Sequence, residues 1–354
     1  MSKIYIMGDP HFSSSQPWRQ HIGDEFLDWF EKEYSPEPDS YFIGLGDNTD
    51  DAANPGGVIR QLERFIQIAE EKHKHCYWLV GNHDLKRHKG VPHLSFEFFD
   101  LKSNSTILRE PLEILTVAGL KILSMPHYNY RTDIASMYEL YNELPEEILN
   151  QRYDLVIGHF ADHTAPDIHS HTVDLSKVDA DYIALGHIHT RINDHYLGSI
   201  APFKVSEDDT RPHIKQRAVW VLSKEGEDVM KSEIPLPDFC KYRFVTYPES
   251  LPRVDEPVTV WTVDNCDLLS VAQNHYEKLS EKLNLNKPLY IRGVSSKLKQ
   301  EDYNKVDTQS ADLTEFQQKS YSDIYSDWKK ESQIRLSRSV DKRIKDLLGD
   351  KKVS

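Results

Sequence analysis

The chain is 354 residues long, 38% hydrophobic and 28% charged, with 18 Pro, 15 Gly and a formal net charge of −14. That length implies two or three domains with a core large enough to need no disulfide or metal staple, and the balance excludes disordered and collagen-like chains. A mean hydropathy of −0.61 with no apolar run of bilayer length excludes a membrane-spanning helix, and the acidic balance disfavours indiscriminate binding of polyanions.

The opening stretch MSKIYIMGDPHF enters a strand pattern at once and lacks the charged head and apolar stretch of a secretory leader. Short, β-branched runs that end in Gly, Pro or Ser predict strands at 3–8, 40–46, 75–81, 120–126, 153–158, 181–186 and 216–223. Helical patterns lie between the early ones. The clearest is 58–72, where Ile59, Leu62, Phe65, Ile66 and Ala69 recur at three- and four-residue steps. Alternating strands and helices predict an α/β domain, and the later strands, with less helix between them, predict a second, mixed sheet. The expectation is a two-sheet sandwich flanked by helices over residues 1–235. A linker at 234–238, with two prolines, leads to a small β-β-α-β domain at 239–298, its helix at 268–283. Charged surface helices follow at 311–330 and 333–348. Cys76, Cys240 and Cys266 are scattered without CxxC spacing, which predicts a reducing, cytoplasmic compartment.

Seventeen histidines are the unusual count. Five short motifs each fall at the C-terminal end of a predicted strand: Gly8-Asp9-Pro10-His11, Gly46-Asp47-Asn48, Gly81-Asn82-His83-Asp84, Gly158-His159 and Gly186-His187-Ile188-His189. Ligands of open α/β sheets bind outside those strand ends, so the five clusters can converge on one site. The Gly in each is expected to let the backbone turn sharply and approach closely. Any one motif alone is an ordinary turn or helix cap. Together they gather two carboxylates, an amide oxygen and four or five imidazoles, more than one cation needs. Two cations about 3.5–4 Å apart, sharing a carboxylate, would use them all and would clamp a phosphoryl group for in-line attack. Mixed imidazole and carboxylate donors suit Mn, Fe or Zn rather than Ca or Mg.

This ordered set over residues 3–200 resembles the calcineurin-like metallophosphoesterase superfamily. The resemblance implies a four-layer αββα sandwich and two divalent ions, most simply Mn2+. By it, Asp9, His11, Asp47 and His189 hold the first ion, with Asp47 bridging, and Asn82, His159 and His187 complete the second. His83 is then the acid that assists the leaving group, oriented by Asp84. Asp50 is a candidate outer partner. Protein-phosphatase relatives carry an Arg after the second motif and GNHE in the third. Here Thr49 follows Asn48 and the third motif ends in Asp84, so a phosphoprotein substrate is disfavoured.

A narrower likeness is to the SbcD-type nuclease subunit of DNA-repair complexes, carried by DADYIALGHIH (179–189), Gly158-His159-Phe160 and Tyr196-Leu197-Gly198-Ser199-Ile200. It implies DNA as substrate, with 3′–5′ exonuclease action on double strands and endonuclease action on single strands. It also implies a capping domain at 239–298, a helical tail at 311–350 that binds an SbcC-type coiled-coil ATPase, and a homodimer. Residues 329–352 carry nine Lys/Arg against four Asp/Glu, and Leu336, Val340, Ile344 and Leu347 form an apolar stripe there, both compatible with a partner surface. Two alternatives stay open: a small-molecule phosphodiesterase or nucleotidase, and a non-catalytic docking module. His73, His75, His88, His93 and His127 read as surface or core residues, and His163, His169 and His171 as surface. Tyr128 and Tyr130 read as packing residues rather than base-stacking ones.

Overall fold

A computed structural model describes residues 2–50, 56–88, 91–94, 101–127, 134–165, 172–204, 207, 214–246, 258–264 and 289–293. In chain order the elements are β1 (Ile4–Met7), α1 (Pro17–Lys32), β2 (Tyr41–Gly44), α2 (Gly56–Lys72), β3 (His75–Leu79), β4 (Leu85–His88), β5 (Val91–Leu94), β6 (Ser105–Leu108), β7 (Glu113–Val117) and β8 (Leu120–Met125). They continue as α3 (Ile134–Asn142), α4 (Glu146–Leu149), β9 (Arg152–His159), β10 (Asp179–Gly186), β11 (Ala218–Glu225), β12 (Asp228–Pro235), β13 (Cys240–Thr246), β14 (Val258–Asp264) and β15 (Leu289–Gly293).

The fold is mixed α/β with two multi-strand sheets. One has the order β12-β11-β1-β2-β3-β6, the other β10-β9-β8-β7. In the first, β1, β2, β3 and β6 run parallel and β11 is antiparallel to β1. In the second, β8, β9 and β10 run parallel and β7 is antiparallel.

Period-two alternation along the strands sorts their side chains onto two faces. Ile4 and Ile6 of β1, Ile43 of β2 and Leu79 of β3 join Ile122 of β8 and Leu155 and Ile157 of β9 in one buried cluster. The residues between them point the other way. Leu123 of β8 and Val156 of β9 pack with Met137 and Tyr141 of α3. Phe42 of β2 and Trp78 of β3 meet Phe65 of α2. Phe65 and Phe26 and Phe30 of α1 stack into the same aromatic layer. In α2, Val58, Leu62, Phe65, Ile66 and Ala69 are all buried, as the spacing requires. His73 is a core histidine, within hydrogen-bond distance of Tyr34 Oη (3.1 Å) and Ser40 Oγ (2.8 Å).

Five strands have no counterpart among the expected elements of the main body: β4, β5, β6, β7 and β12. All are short or polar. β12 (DVMKSEIP) forms a sheet edge with most of its residues exposed or half-buried, so no apolar run marks it. It runs through Pro235, which shortens the expected linker. A proline is tolerated there because the strand is at the edge.

Beyond it, the three expected strands form a separate parallel sheet, β13-β14-β15. Phe239 and Tyr242 meet Phe26 and Trp18 of α1 at ring separations of 5.8 Å. The expected helices at 268–283, 311–330 and 333–348 lie outside the described residues, as do Tyr128, Tyr130, His169 and His171. Among the described residues no helix is long and apolar enough to cross a membrane.

Candidate metal centre

The five motifs follow β1, β2 and β3 in one sheet and close β9 and β10 in the other. Parallel strands present their carboxyl ends on one side, so the motif loops meet there. Three of the loop residues, His11, Asp47 and His187, have positive φ (47°, 47° and 78°). Non-glycine residues in this region cost about 1–3 kcal/mol each and persist only where surrounding contacts fix them. Those contacts come from within the centre. His11 N–H donates to Asp47 O (2.9 Å) and His187 N–H to Asp9 Oδ2 (2.7 Å).

The motif glycines are needed for two reasons. Gly46 needs its turn, with φ of 94°, and also space, since a Cβ there would lie 2.7 Å from Gly81 N and 2.8 Å from His159 Nδ1. Gly186 needs space: a Cβ there would lie 2.5 Å from Asp9 Oδ1 and 2.7 Å from both His159 Nδ1 and Leu45 O. Gly186→Ala is therefore expected to lower the melting temperature and weaken metal binding together, since overpacking a tight site costs about 1–3 kcal/mol. Gly57→Ala, whose Cβ would meet only Gln20 at 3.6 Å, is expected to change neither. Thermal melts with and without Mn2+ check both.

Two donor groups share the centre. Asp9, His11 and His189 offer ligand atoms within 4.8 Å of one another, and so do Asp47, His159 and His187. Asp47 lies between them: Oδ2 is 3.0 Å from His159 Nε2 and 3.5 Å from His11 Nε2, while Oδ1 accepts the His83 N–H (2.7 Å). Asn82 Oδ1 lies 3.2 Å from His159 Nε2 and 2.8 Å from His187 Nδ1. Neighbouring donors on an ion with bonds of about 2.1 Å are themselves about 3 Å apart, so this spacing fits a divalent cation. Buried atoms without a hydrogen-bond partner point the same way: Asp9 Oδ1 and both ring nitrogens of His11 are among them. Buried polar atoms are otherwise almost always paired.

Electrostatics is consistent with a site built for positive charge. Burial, reinforced by the charge of Asp47, lifts the Asp9 carboxyl to about 6. Burial and the neighbouring His189 push His11 down to about 4. Burial alone would raise Asp47, but His159 beside it holds Asp47 well below the usual range, and His159 is raised in turn by Asp47. Asp47 and His159 thus each favour the charged form of the other.

The outer contacts differ from expectation in one respect. His83 is partly exposed, and its Nδ1 donates to the carbonyl of Asp50 (2.6 Å) rather than to Asp84. Asp84 is buried and accepts from the backbone N–H groups of Asn48 and Gly81 (3.0 Å each), so it ties two motif loops together. The carboxylate of Asp50 takes a bond from Arg19 (2.5 Å) and lies 3.5 Å from His11 Nδ1.

Two residues join the neighbourhood without a sequence signal. Glu207 accepts from His189 Nδ1 (2.9 Å), and His189 holds it at about 2 despite burial. His127, buried beside His159 at a ring separation of 6.5 Å, follows β8 as the motifs follow their strands, but no Gly-His pair marks it.

A family model described as calcineurin-like phosphoesterase matches residues 2–191. No curated protein matches the sequence. Among solved structures, a protein of unknown function from Aquifex aeolicus, AQ665, is 16% identical over 51% of this chain and 88% of its own, at a TM-score of 0.27. On the family match, which spans the five motifs and both donor groups, the chain belongs to the calcineurin-like phosphoesterases.

Proposed function

We propose that the chain is a manganese-dependent DNA nuclease, the nuclease subunit of an SbcCD-like complex that processes DNA ends in repair, recombination or replication. The family is one of metal-dependent phosphoester hydrolases, and the observation that carries the reading is Asp47 between two donor groups, with a partly exposed imidazole alongside. Two bound divalent ions would supply Lewis acidity and a nucleophile at neutral pH.

The chain's own groups do the rest. The Asp50 carbonyl keeps a proton on Nδ1 of His83, so Nε2 is the nitrogen that meets the substrate. Nε2 donates to a departing oxygen only from the imidazolium form, while Nδ1–H stays on the carbonyl throughout. Asp84 fixes the loops of Asn48 and Gly81, and with them the positions of Asp47 and Asn82.

DNA as substrate rests on the likeness of residues 158–160, 179–189 and 196–200 to SbcD-type subunits. The small parallel sheet beyond residue 239 is read as the capping domain that places DNA over the ions, the packed layers of the main body as the αββα sandwich, and the tail at 311–350 as the seat of the coiled-coil ATPase. Labelled duplex and hairpin DNA, assayed with Mn2+ beside nucleotides and a small phosphodiester, tests the substrate. Cleavage of DNA, with the small esters turned over far more slowly, is the expected result. Turnover of small esters alone would replace this reading with that of a small-molecule phosphodiesterase. Removal of residues 311–354 is expected to abolish assembly with the ATPase and to spare metal binding.

A further inference from the structure

The carbonyl that holds His83 belongs to a residue that is itself held. Asp50 O accepts from His83 Nδ1 at 2.6 Å. The Asp50 N–H donates to Phe12 O (3.0 Å), in the loop that follows β1. Its carboxylate accepts from Arg19 Nη1 (2.5 Å) and from Ser13 Oγ (3.3 Å). Arg19 lies in the first turn of α1, with its guanidinium 4.9 Å from the centre of the Phe203 ring. Phe203 in turn packs edge-on to His11 and His189, at ring separations of 5.6 and 6.1 Å. The Arg19 side chain is 14% exposed and that of Asp50 28%, so the pair is shielded and ordered, unlike a screened surface pair. Neither residue belongs to a group of candidate ligands among the described residues.

We propose that Arg19 is a positioning residue for His83, acting through Asp50, and that it thereby sets how well the chain hydrolyses esters with poor leaving groups. This rests on the reading of His83 as the leaving-group acid. A charge-assisted bond is about twice as strong as a neutral one, so of the contacts on Asp50 the Arg19 pair restrains it most. While the carbonyl stays in place, a neutral His83 keeps its proton on Nδ1, because Nδ1 without a proton would set a lone pair against the carbonyl oxygen. The same bond stops the ring from swinging about its side-chain bonds and so keeps Nε2 aimed. Without Arg19 the Asp50 carboxylate loses its cation, the carbonyl drifts, and His83 turns toward the Nε2–H form that a free imidazole prefers.

Long-range 1H–15N spectra of the metal-free full chain at about pH 8.5 read the tautomer, since a free imidazole, with a value of about 6.5, is neutral there. The wild type is expected to carry the His83 proton on Nδ1. Arg19→Gln should move it toward Nε2, and Arg19→Lys, which keeps a cationic donor for Asp50, should restore it. With Mn2+, Arg19→Gln should cleave a DNA duplex about 10–100-fold more slowly, the cost of a misplaced group. It should hydrolyse the nitrophenyl ester of thymidine 5′-phosphate, whose leaving group needs no proton, at close to the wild-type rate. Arg19→Gln combined with His83→Ala should lose no more than His83→Ala alone, because the two act through one group. An unchanged tautomer in Arg19→Gln, equal loss on both substrates, or additive losses in the double variant would overturn the proposal. A wild-type His83 without a proton on Nδ1, or a His83→Ala that cleaves DNA at the wild-type rate, would instead overturn the reading of His83, and this with it. If Arg19→Gln fails to fold, Asp50→Ala carries the test. It keeps the carbonyl but gives Arg19 nothing to hold, and a His83 proton still fixed on Nδ1 in that variant would refute the role of Arg19.

Discussion

His83→Ala is expected to bind both metal ions and to lose about 10²–10⁴-fold of its phosphodiester hydrolysis, the range typical for removal of a general acid. The ring belongs to neither the Asp9/His11/His189 nor the Asp47/His159/His187 group, though it can form a third cluster with His11 and Asp47. Its backbone N–H, not its ring, is what Asp47 Oδ1 accepts, and alanine keeps that bond. The loop should therefore persist with the ions in place. The loss should fall on kcat rather than KM, because the imidazole acts on a proton in flight and not on ground-state binding. It should also shrink for a substrate whose leaving group is already a weak base, such as a nitrophenyl ester, since such a group needs no proton. Calorimetric Mn2+ binding together with rates on good and poor leaving groups measures this. Hydrolysis at the wild-type rate on a poor leaving group would remove His83 from the mechanism, whereas loss of the ions would move it into the metal shell.

The two donor groups that the fold assembles were legible in the sequence because their chemistry is tied to local punctuation. Each motif closes or follows a largely apolar strand and opens with a glycine, and the parallel strand ends bring such positions together. What the motifs do not carry is the outer contacts. Glu207 lies 18 residues beyond His189, and only the folded chain brings its carboxylate to that ring. The exchange of Asp84 for Asp50 behind His83 has a similar origin. Asp84 adjoins His83 in sequence, but its carboxylate turns inward to two backbone amides, and the partner His83 finds is a carbonyl, which no side-chain pattern encodes. The expected fold fails where strands are not apolar. β12 and β7 each bury at most one face at a sheet edge, so their half-polar sequences look like connections. The glycines show a further limit: the same residue in the same motif position serves both a turn and clearance at Gly46 and clearance alone at Gly186, and only backbone angles and neighbouring atoms separate the two.

Asp47→Asn is expected to abolish binding at both sites and to lower hydrolysis by at least the upper end of the general-acid range, about 10⁴-fold. The replacement is isosteric, so its amide oxygen can still accept the His83 N–H, but the NH2 group then faces His159 Nε2 and His11 Nε2, where a cation would have to sit. It also removes the charge that raises His159. In the wild type that raised value means the ring carries a proton at neutral pH which an entering ion must expel. Mn2+ affinity should therefore climb with pH through the neutral range, by up to about tenfold per unit for one proton released. Below about 6, Asp9 is protonated as well, and the dependence should steepen toward two protons. Without metal the linkage runs the other way. His159 is raised in the folded state, so its contribution to stability is complete below the value of a free imidazole, about 6.5, and is lost as the pH rises through its raised value. Metal-free wild type should thus lose stability toward alkaline pH, and Asp47→Asn should lose this dependence. Calorimetry in buffers of different ionisation enthalpy counts the protons, and melts across pH follow the stability. Metal binding with no proton released at pH 7 would mean that His159 is neutral in the free protein and that Asp47 holds no imidazolium.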